Sequence, residues 1–318
     1  MCGRFVDRIN KSTLVVKRMN PYGTLQGGRT MKLKTAKTLL HQSIKALTDC
    51  KDYFTKKPLK DFSRPGKLPF EPMIQSILCM GAGSLSNEMM DFFGYGEELA
   101  TTSAFVQKRA KILPEAFEYL FAHFTKKFEE SITYRGFQLL AVDGSDFLTA
   151  ANPKDPESYF PGTEGQKPYN LLHLNALYDV VRHVYVDAFL QKRRCADECG
   201  ALVIETSFRD LKYTVGLQHF HAKKTEFVQQ EIFARLTMYN FYELITQSVV
   251  IQQKSRKYPY KVNFSAAVHI CREFFLRDLT PSRVEALLTK FISPVRHGRS
   301  SPRKLKNKHP FGFTYRVA

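Results

Sequence analysis

Apolar residues recur at helical spacing through the first part of the chain. In the segment KLKTAKTLLHQSIKAL, which follows Met31, they fall at Leu39, Leu40, Ile44 and Leu47, and this spacing predicts an amphipathic helix. Residues 55–70 hold three prolines and a glycine, so they predict a loop. Further helices follow this loop, with Ser84 or Ser86 and then Thr102 or Ser103 as candidate N-caps.

The helix that begins near Thr102 carries a polar and basic run: Gln107, Lys108, Arg109 and Lys111. Short helices joined by turns, with one helix presenting such side chains, are typical of a helix-turn-helix that reads DNA. A helical bundle with a solvated basic face is the alternative interpretation. We therefore predict a helical DNA-binding region with these four residues as DNA contacts.

The pattern changes at residue 136, where a mostly apolar run from Phe137 to Val142 predicts a strand that ends in Asp143 and Gly144. The later segment LLHLNALYDVVRHVYVDAFLQKR alternates with period two around a turn near Val180–Arg182, which predicts a β-hairpin. We expect three antiparallel strands, with Asp143 at the end of the first strand and Asp146 beyond it. A carboxylate at the end of a strand has a rigid base, as a hard divalent cation requires.

Helical spacing returns after Cys195. In IETSFRDLKY, the side chains of Glu205, Arg209 and Lys212 fall on one helix face, so a carboxylate lies beside two cations that could contact phosphate. A long amphipathic helix, TEFVQQEIFARLTMYNFYELITQSVVIQ, comes next. Residues 262–293 predict two more helices, the second starting at Thr280-Pro281.

Charge narrows the choice of partner. The chain of 318 residues has 48 Lys and Arg against 30 Asp and Glu, a net charge of +18, and this balance favours a polyanionic partner or a membrane surface. From Pro294 onward there are seven Lys or Arg and no acidic residue, which is typical of an arm that binds nucleic acid. No apolar run is long enough for a membrane span or a signal sequence. Six dispersed cysteines indicate a reducing compartment, so we expect a cytoplasmic protein.

These patterns predict an α+β chain in five segments. They are a mobile tail, a helical DNA-binding domain, a domain of mixed strands and helices, C-terminal helices and a basic tail, at residues 1–30, 31–135, 136–250, 251–293 and 294–318 respectively.

Two segments resemble a known family. IETSFRDLKYTVGLQHFHAKK is similar to the C-terminal catalytic signature of bacterial insertion-sequence transposases of family four, the DDE type, and AVDGSDF resembles the motif of their first catalytic aspartate. The resemblance extends over residues 31–318. It implies an RNase H-like core in which three acidic residues hold two Mg²⁺ ions that activate water or a 3′ hydroxyl for attack on a phosphodiester. By this resemblance, Asp143 is the first and Glu205 the third of these carboxylates, and both are metal ligands. Lys212 matches the final lysine of the family's catalytic signature.

The chain also departs from that signature. The family's Tyr and Arg positions hold Glu198 and Ala201, and no strand followed by an aspartate lies between the hairpin and Glu205. We interpret this as an internal deletion near Val203 and Ile204 that removes the second catalytic aspartate and truncates the core. The joined halves should then form one helix from about Glu198 to Thr214, with Glu205 too far from Asp143 to share a metal ion.

The resemblance implies DNA transposition as the function, impaired by the missing aspartate, and a nucleoid-associated location. Its partner would be double-stranded DNA at the element ends, and a homodimer is a further candidate assembly. Besides the helix-turn-helix residues, the expected DNA contacts are Arg209, Arg296, Arg299, Arg303 and Lys304. The alternative function is a non-catalytic DNA-binding remnant that interferes with an intact transposase. A zinc site of Cys195, Cys199, His219 and His221 is a weaker hypothesis, because Cys-x₃-Cys within a helix spaces its ligands poorly.

Overall fold

The computed structural model describes residues 32–128, 134, 137–162, 167–192, 205–217, 219–253 and 257–296, without the side chains of Glu205 and Thr206. The predicted tail at 1–30, Arg299, Arg303, Lys304 and the two cysteines of the zinc hypothesis lie outside these ranges. So does the segment 193–204, which contains the predicted deletion point.

Along the chain, five of the described helices precede the long strands and four follow them. They are α1 (Leu33–Asp49), α2 (Phe70–Cys79), α3 (Leu85–Phe93), α4 (Thr102–Arg109), α5 (Glu115–Lys126), α6 (Glu205–Arg209), α7 (Thr225–Ser248), α8 (Phe264–Leu276) and α9 (Pro281–Lys290). A short 3₁₀ helix follows α1, and a π-helical turn, Asp210–Thr214, continues α6. None of the helices in the described ranges has the length and apolar composition that a membrane crossing requires.

The strands form an antiparallel sheet and a separate small ribbon. Their bounds are β1 (Leu140–Thr149), β2 (Tyr159–Phe160), β3 (Tyr169–Asp179), β4 (Val184–Gln191), β5 (Tyr260–Val262) and β6 (Ile292–Pro294). β3 is the central strand and pairs with β1, β2 and β4, whereas β5 pairs with β6. Helices and an antiparallel sheet together confirm the α+β class and the three long antiparallel strands.

Local sequence signals account for several element ends. The Ser84 hydroxyl accepts a hydrogen bond from the Asn87 amide as the N-cap of α3, and Gly94 ends that helix at φ 88°. Thr280 caps α9 with proline at its first turn. The predicted cap of α4 was wrong by one position, since Thr101 accepts the hydrogen bond from the Ala104 amide.

The turn of the β3–β4 hairpin is fixed by Asp179. Its carboxylate accepts hydrogen bonds from the backbone amides of Val181 and Arg182 and pairs with the Arg182 guanidinium at 2.9 Å. Arg182 also donates to the carbonyl of Phe128 at 2.6 Å, and His183 takes a positive φ of 54°. The predicted turn is therefore confirmed, and a buried ion pair holds it against the helical part of the chain.

Helix α7 is the centre of the hydrophobic core. It contacts α1, α2, α5, α8 and β4, and every residue from Gln230 to Tyr242 is buried. One core includes residues from Leu33 to Leu288, so the predicted segments 31–135, 136–250 and 251–293 share it. The prediction that this helix is amphipathic was wrong over its middle turns, because the polar residues between Gln230 and Asn240 are buried and contact other polar groups instead of water.

A buried charge network explains those polar residues. Glu231 of α7 pairs with Arg109 of α4 at 3.0 Å and with Arg235, one turn along α7, at 3.1 Å. His221 contacts the same carboxylate at 3.1 Å. Burial alone would raise the pKa of Glu231, but Arg109, His221 and Arg235 hold it well below its ordinary value.

We expect Arg109→Met to lower the free energy of unfolding by about 3–5 kcal/mol, because it leaves the buried Glu231 carboxylate short of a positive partner. Urea-induced unfolding followed by circular dichroism measures the change. The matched control is Lys45→Met, since Lys45 is 71% exposed and pairs with Asp49 on the surface of α1. Equal losses in the two variants would show that the network contributes no more than a surface pair.

Candidate functional site

Strand β1 places Asp143 on the face of the sheet that meets the helices. Along β1, Ala141, Ser145 and Phe147 are buried, whereas Gly144 and Asp146 are exposed, so odd-numbered side chains point toward the core. Asp143 belongs to the buried row and is half-buried. The prediction that β1 ends at Asp143 was wrong, because the strand continues to Thr149 through its ladder with β3.

The surroundings of Asp143 act on its charge in opposite directions. Burial raises the pKa of the carboxyl group, while the Gly144 amide and the positive charges of Lys212 and His173 oppose that rise. The amide of Gly144 donates to the Asp143 carboxylate at 2.8 Å. The net result is a pKa above the ordinary value for aspartate.

Lys212 lies over the same face of the sheet. It belongs to the π-helical turn after α6, and its Nζ is 5.6 Å from the ring centroid of Phe147, which is in the same buried row as Asp143. The structure thus brings together two of the three residues to which the resemblance gives a catalytic role. Glu205 begins α6, but its side chain is outside the described atoms, so its distance from Asp143 remains a prediction.

Helix α6 is attached to the sheet through Tyr185 of β4. The buried Tyr185 hydroxyl donates to the Ser207 hydroxyl at 3.1 Å, and its ring lies 5.8 Å from that of Phe208. The opposite side of α6 carries Arg209, whose side chain is 65% exposed and available to solvent. Residues 205–214 are helical as predicted, with a π-helical second half, while 198–204 lie outside the described ranges.

An acidic pair that the sequence did not indicate lies near this turn. Asp210 follows Arg209, and Glu243 belongs to α7; burial and the Asp210 carboxylate raise the pKa of Glu243 to about 7. Gln247 donates to Glu243 at 3.3 Å. Neither residue stands out in the sequence, because their proximity arises from the packing of α7 against the π-helical turn.

A second missed pair is on the other face of the sheet. Asp146 lies opposite His173 in the ladder between β1 and β3, and their side chains are hydrogen-bonded. Asp146 was predicted to lie beyond the strand, which is wrong. Period-two alternation continued through DGSDFLT would have placed it in β1 on the outer face.

The predicted DNA contacts in and just after α4 are in different environments. Gln107 is exposed, Lys108 lies 4.5 Å from the Phe62 ring centroid, and Lys111 pairs with Asp61 at 3.1 Å. Arg109 is 1% exposed, so the prediction that it contacts DNA was wrong: its guanidinium pairs with Glu231 inside the core. In the C-terminal part, Arg296 lies 5.8 Å from the ring centroid of Tyr258.

The two histidines of the zinc hypothesis have different contacts in the structure. His221 is buried and contacts Glu231, whereas the His219 carbonyl accepts a hydrogen bond from Arg235 at 3.0 Å. The buried ion network therefore accounts for His221.

The described side chains around Asp143 do not by themselves make up a two-Mg²⁺ site, and the side chain of Glu205, the other expected ligand, is outside the described atoms. Two such ions need several carboxylates, whereas the charges that act on Asp143 come from a lysine and a histidine. Within the described ranges, no three His, Cys, Asp or Glu side chains are placed to share one ion.

Comparison with known proteins adds no relative. Protein-family models, curated proteins and solved structures were each searched, and none matches this chain.

We expect Glu243→Gln to change how stability depends on pH. The pKa of Glu243 is about 7 in the folded state, against an ordinary value of 4.5. Between these values the folded chain keeps a proton that the unfolded chain releases. The protonated carboxyl group therefore stabilises the fold at low pH, and this contribution is lost as pH rises to 7. The variant is neutral throughout and should gain about 2 kcal/mol relative to the wild type between pH 5 and 8.

Urea titrations at the two pH values measure this difference. Glu285→Gln, at an exposed position on α9, is the matched control and should follow the wild type. An identical pH dependence in Glu243→Gln and the wild type would contradict the shifted titration.

Proposed function

We propose that this chain is a DDE-type transposase that binds duplex DNA and whose strand cleavage and transfer are lost or very weak. The observation that carries the proposal is the meeting of Asp143 and Lys212, from two separate motifs, on one face of the sheet. Residues 141–147 and 204–224 resemble the family's catalytic motifs, and a net charge of +18 supports a polyanionic substrate.

The expected loss of activity comes from the missing second aspartate. Carboxylates that position metal ions act as a unit, and removal of one member of such a unit can cost nearly as much as removal of all. The interval from Lys192 to Glu205 contains no segment that predicts a strand followed by an aspartate. The same observation favours a second candidate function, that of a non-catalytic DNA-binding remnant that forms mixed complexes with an intact transposase.

Binding to duplex DNA should depend strongly on salt. If the basic surface neutralises about six phosphates, affinity should fall by roughly 10³ between 50 and 200 mM salt. Removal of residues 297–318 should weaken binding to all sequences alike, because that segment is basic and contains no acidic residue. Filter binding over a salt series measures both effects, and a titration that is flat in salt would contradict the proposal.

Cleavage should be absent. Supercoiled plasmid incubated with the protein and Mg²⁺ or Mn²⁺ should show no nicking above background, and Mn²⁺ is the more sensitive test because it binds nitrogen and oxygen ligands more tightly. Metal-dependent nicking that disappears in both Asp143→Ala and Glu205→Ala, but persists in Asp146→Ala, would show a working site. Asp146 is the matched control because it lies on the opposite face of the same strand.

A further inference from the structure

The loop between α1 and α2 is strongly basic and exposed. Residues 51–67 contain six Lys or Arg and two Asp. The side chains of Lys57, Lys60 and Arg64 are all exposed, and no ion pair involves them within the described ranges. The basic side chains nearer the ends of the loop are paired, Lys56 with Glu226 at 2.9 Å and Lys67 with Glu98 at 2.6 Å.

The two aspartates of this segment point inward and hold its backbone. Asp52 accepts a hydrogen bond from the Leu59 amide at 3.0 Å, and Asp61, which is 5% exposed, accepts one from the Lys57 amide at 3.1 Å. Asp61 also pairs with Lys111. The negative charges are therefore used inside the loop, and its outer surface is cationic.

The loop has a fixed and strained shape. Leu59 and Phe62 both take positive φ, 62° and 59°, which costs an ordinary residue about 1–2 kcal/mol and persists only where the surroundings impose it. Phe62 is buried between the Phe70 ring and the Lys108 ammonium. Leu59 is 79% exposed at the tip, so no burial of its own side chain compensates for the strain. Such an outlier in an ordered loop points to a function of the loop itself.

We propose that this loop, rather than the face of α4, contacts the phosphates of duplex DNA, with Lys57, Lys60 and Arg64 as the contacts. The inference rests on the proposed DNA binding and assigns its location. Two of the basic residues predicted as DNA contacts, Lys108 in α4 and Lys111 just after it, instead support the loop, because Lys108 lies beneath Phe62 and Lys111 pairs with Asp61. Three cations without acidic partners on a preformed surface suit a row of backbone phosphates. One exposed leucine adds only about 2 kcal/mol of apolar burial, too little to favour a membrane surface.

The test compares two variants that lose the same charge. The loop variant carries Lys57→Gln, Lys60→Gln and Arg64→Gln. The matched control carries Lys34→Gln, Lys154→Gln and Arg283→Gln, which are exposed positions elsewhere on the protein. Fluorescence anisotropy with a labelled duplex gives affinity over a salt series, and thermal unfolding confirms that each variant is folded.

The loop variant should bind at least about tenfold more weakly, and the slope of log K against log salt should fall in magnitude by about 2–3, as expected for three lost phosphate contacts. The control should change the slope by less than about one such contact. A variant with Lys57→Arg and Lys60→Arg keeps both charges, so it should bind like the wild type. This control separates the loss of charge from a change in the shape of the loop.

Three outcomes would overturn the assignment. Equal losses in both triple variants would show that only total charge matters. Wild-type DNA affinity in the folded loop variant, with loss of binding to anionic lipid vesicles, would assign the loop to a membrane surface. Failure of the wild-type protein itself to bind duplex DNA would refute the proposed function and the loop assignment together, whereas the first two results leave the proposed DNA binding intact.

Discussion

The buried carboxylate of Glu231 is the constraint on which the arrangement of this fold depends. A charge in the core is tolerated only when it is paired and hydrogen-bonded, so Glu231 requires the Arg109 and Arg235 guanidinium groups and His221 at fixed positions. Arg235 in turn donates to the carbonyls of Gly81 and His219. The network thus fixes α7 relative to α4, the end of α2 and the segment before α7.

Further polar contacts extend this arrangement from α7 to the candidate site. The Asn240 side chain of α7 bonds to both the amide and the carbonyl of Tyr185, at 2.8 and 2.7 Å, and so attaches β4 to the helix. The Tyr185 hydroxyl then reaches Ser207 of α6. The face that carries Asp143 and Lys212 therefore depends on a helix whose own position is set by the buried charges.

Basic residues in this chain have two separate roles, and their exposure distinguishes them. Arg109 and Arg235 are fully buried and stabilise the core, whereas Lys57, Lys60 and Arg64 are exposed on a loop that inward-facing aspartates hold. Lys108 and Lys111 are intermediate, since their cationic groups contact the base of that loop. The total of 48 Lys and Arg consequently overstates the number of cations available to a partner.

The sequence by itself determined most of the helices, the three long strands, the hairpin turn near residues 180–182 and the cap at Thr280, because spacing and capping are local properties of the chain. It left Ser84 and Ser86 as alternative caps, and the resemblance of two short motifs indicated Asp143, Glu205 and Lys212 as the catalytic candidates. Only the tertiary structure decided that β1 continues past Asp143, since the ladder with β3 overrides the turn signal of Asp143-Gly144. It likewise decided that Arg109 is buried and that Asp210 approaches Glu243, because both depend on how distant segments pack. A basic residue on a helix has the same local pattern whether it faces solvent or a buried glutamate, and only the packed core distinguishes the two.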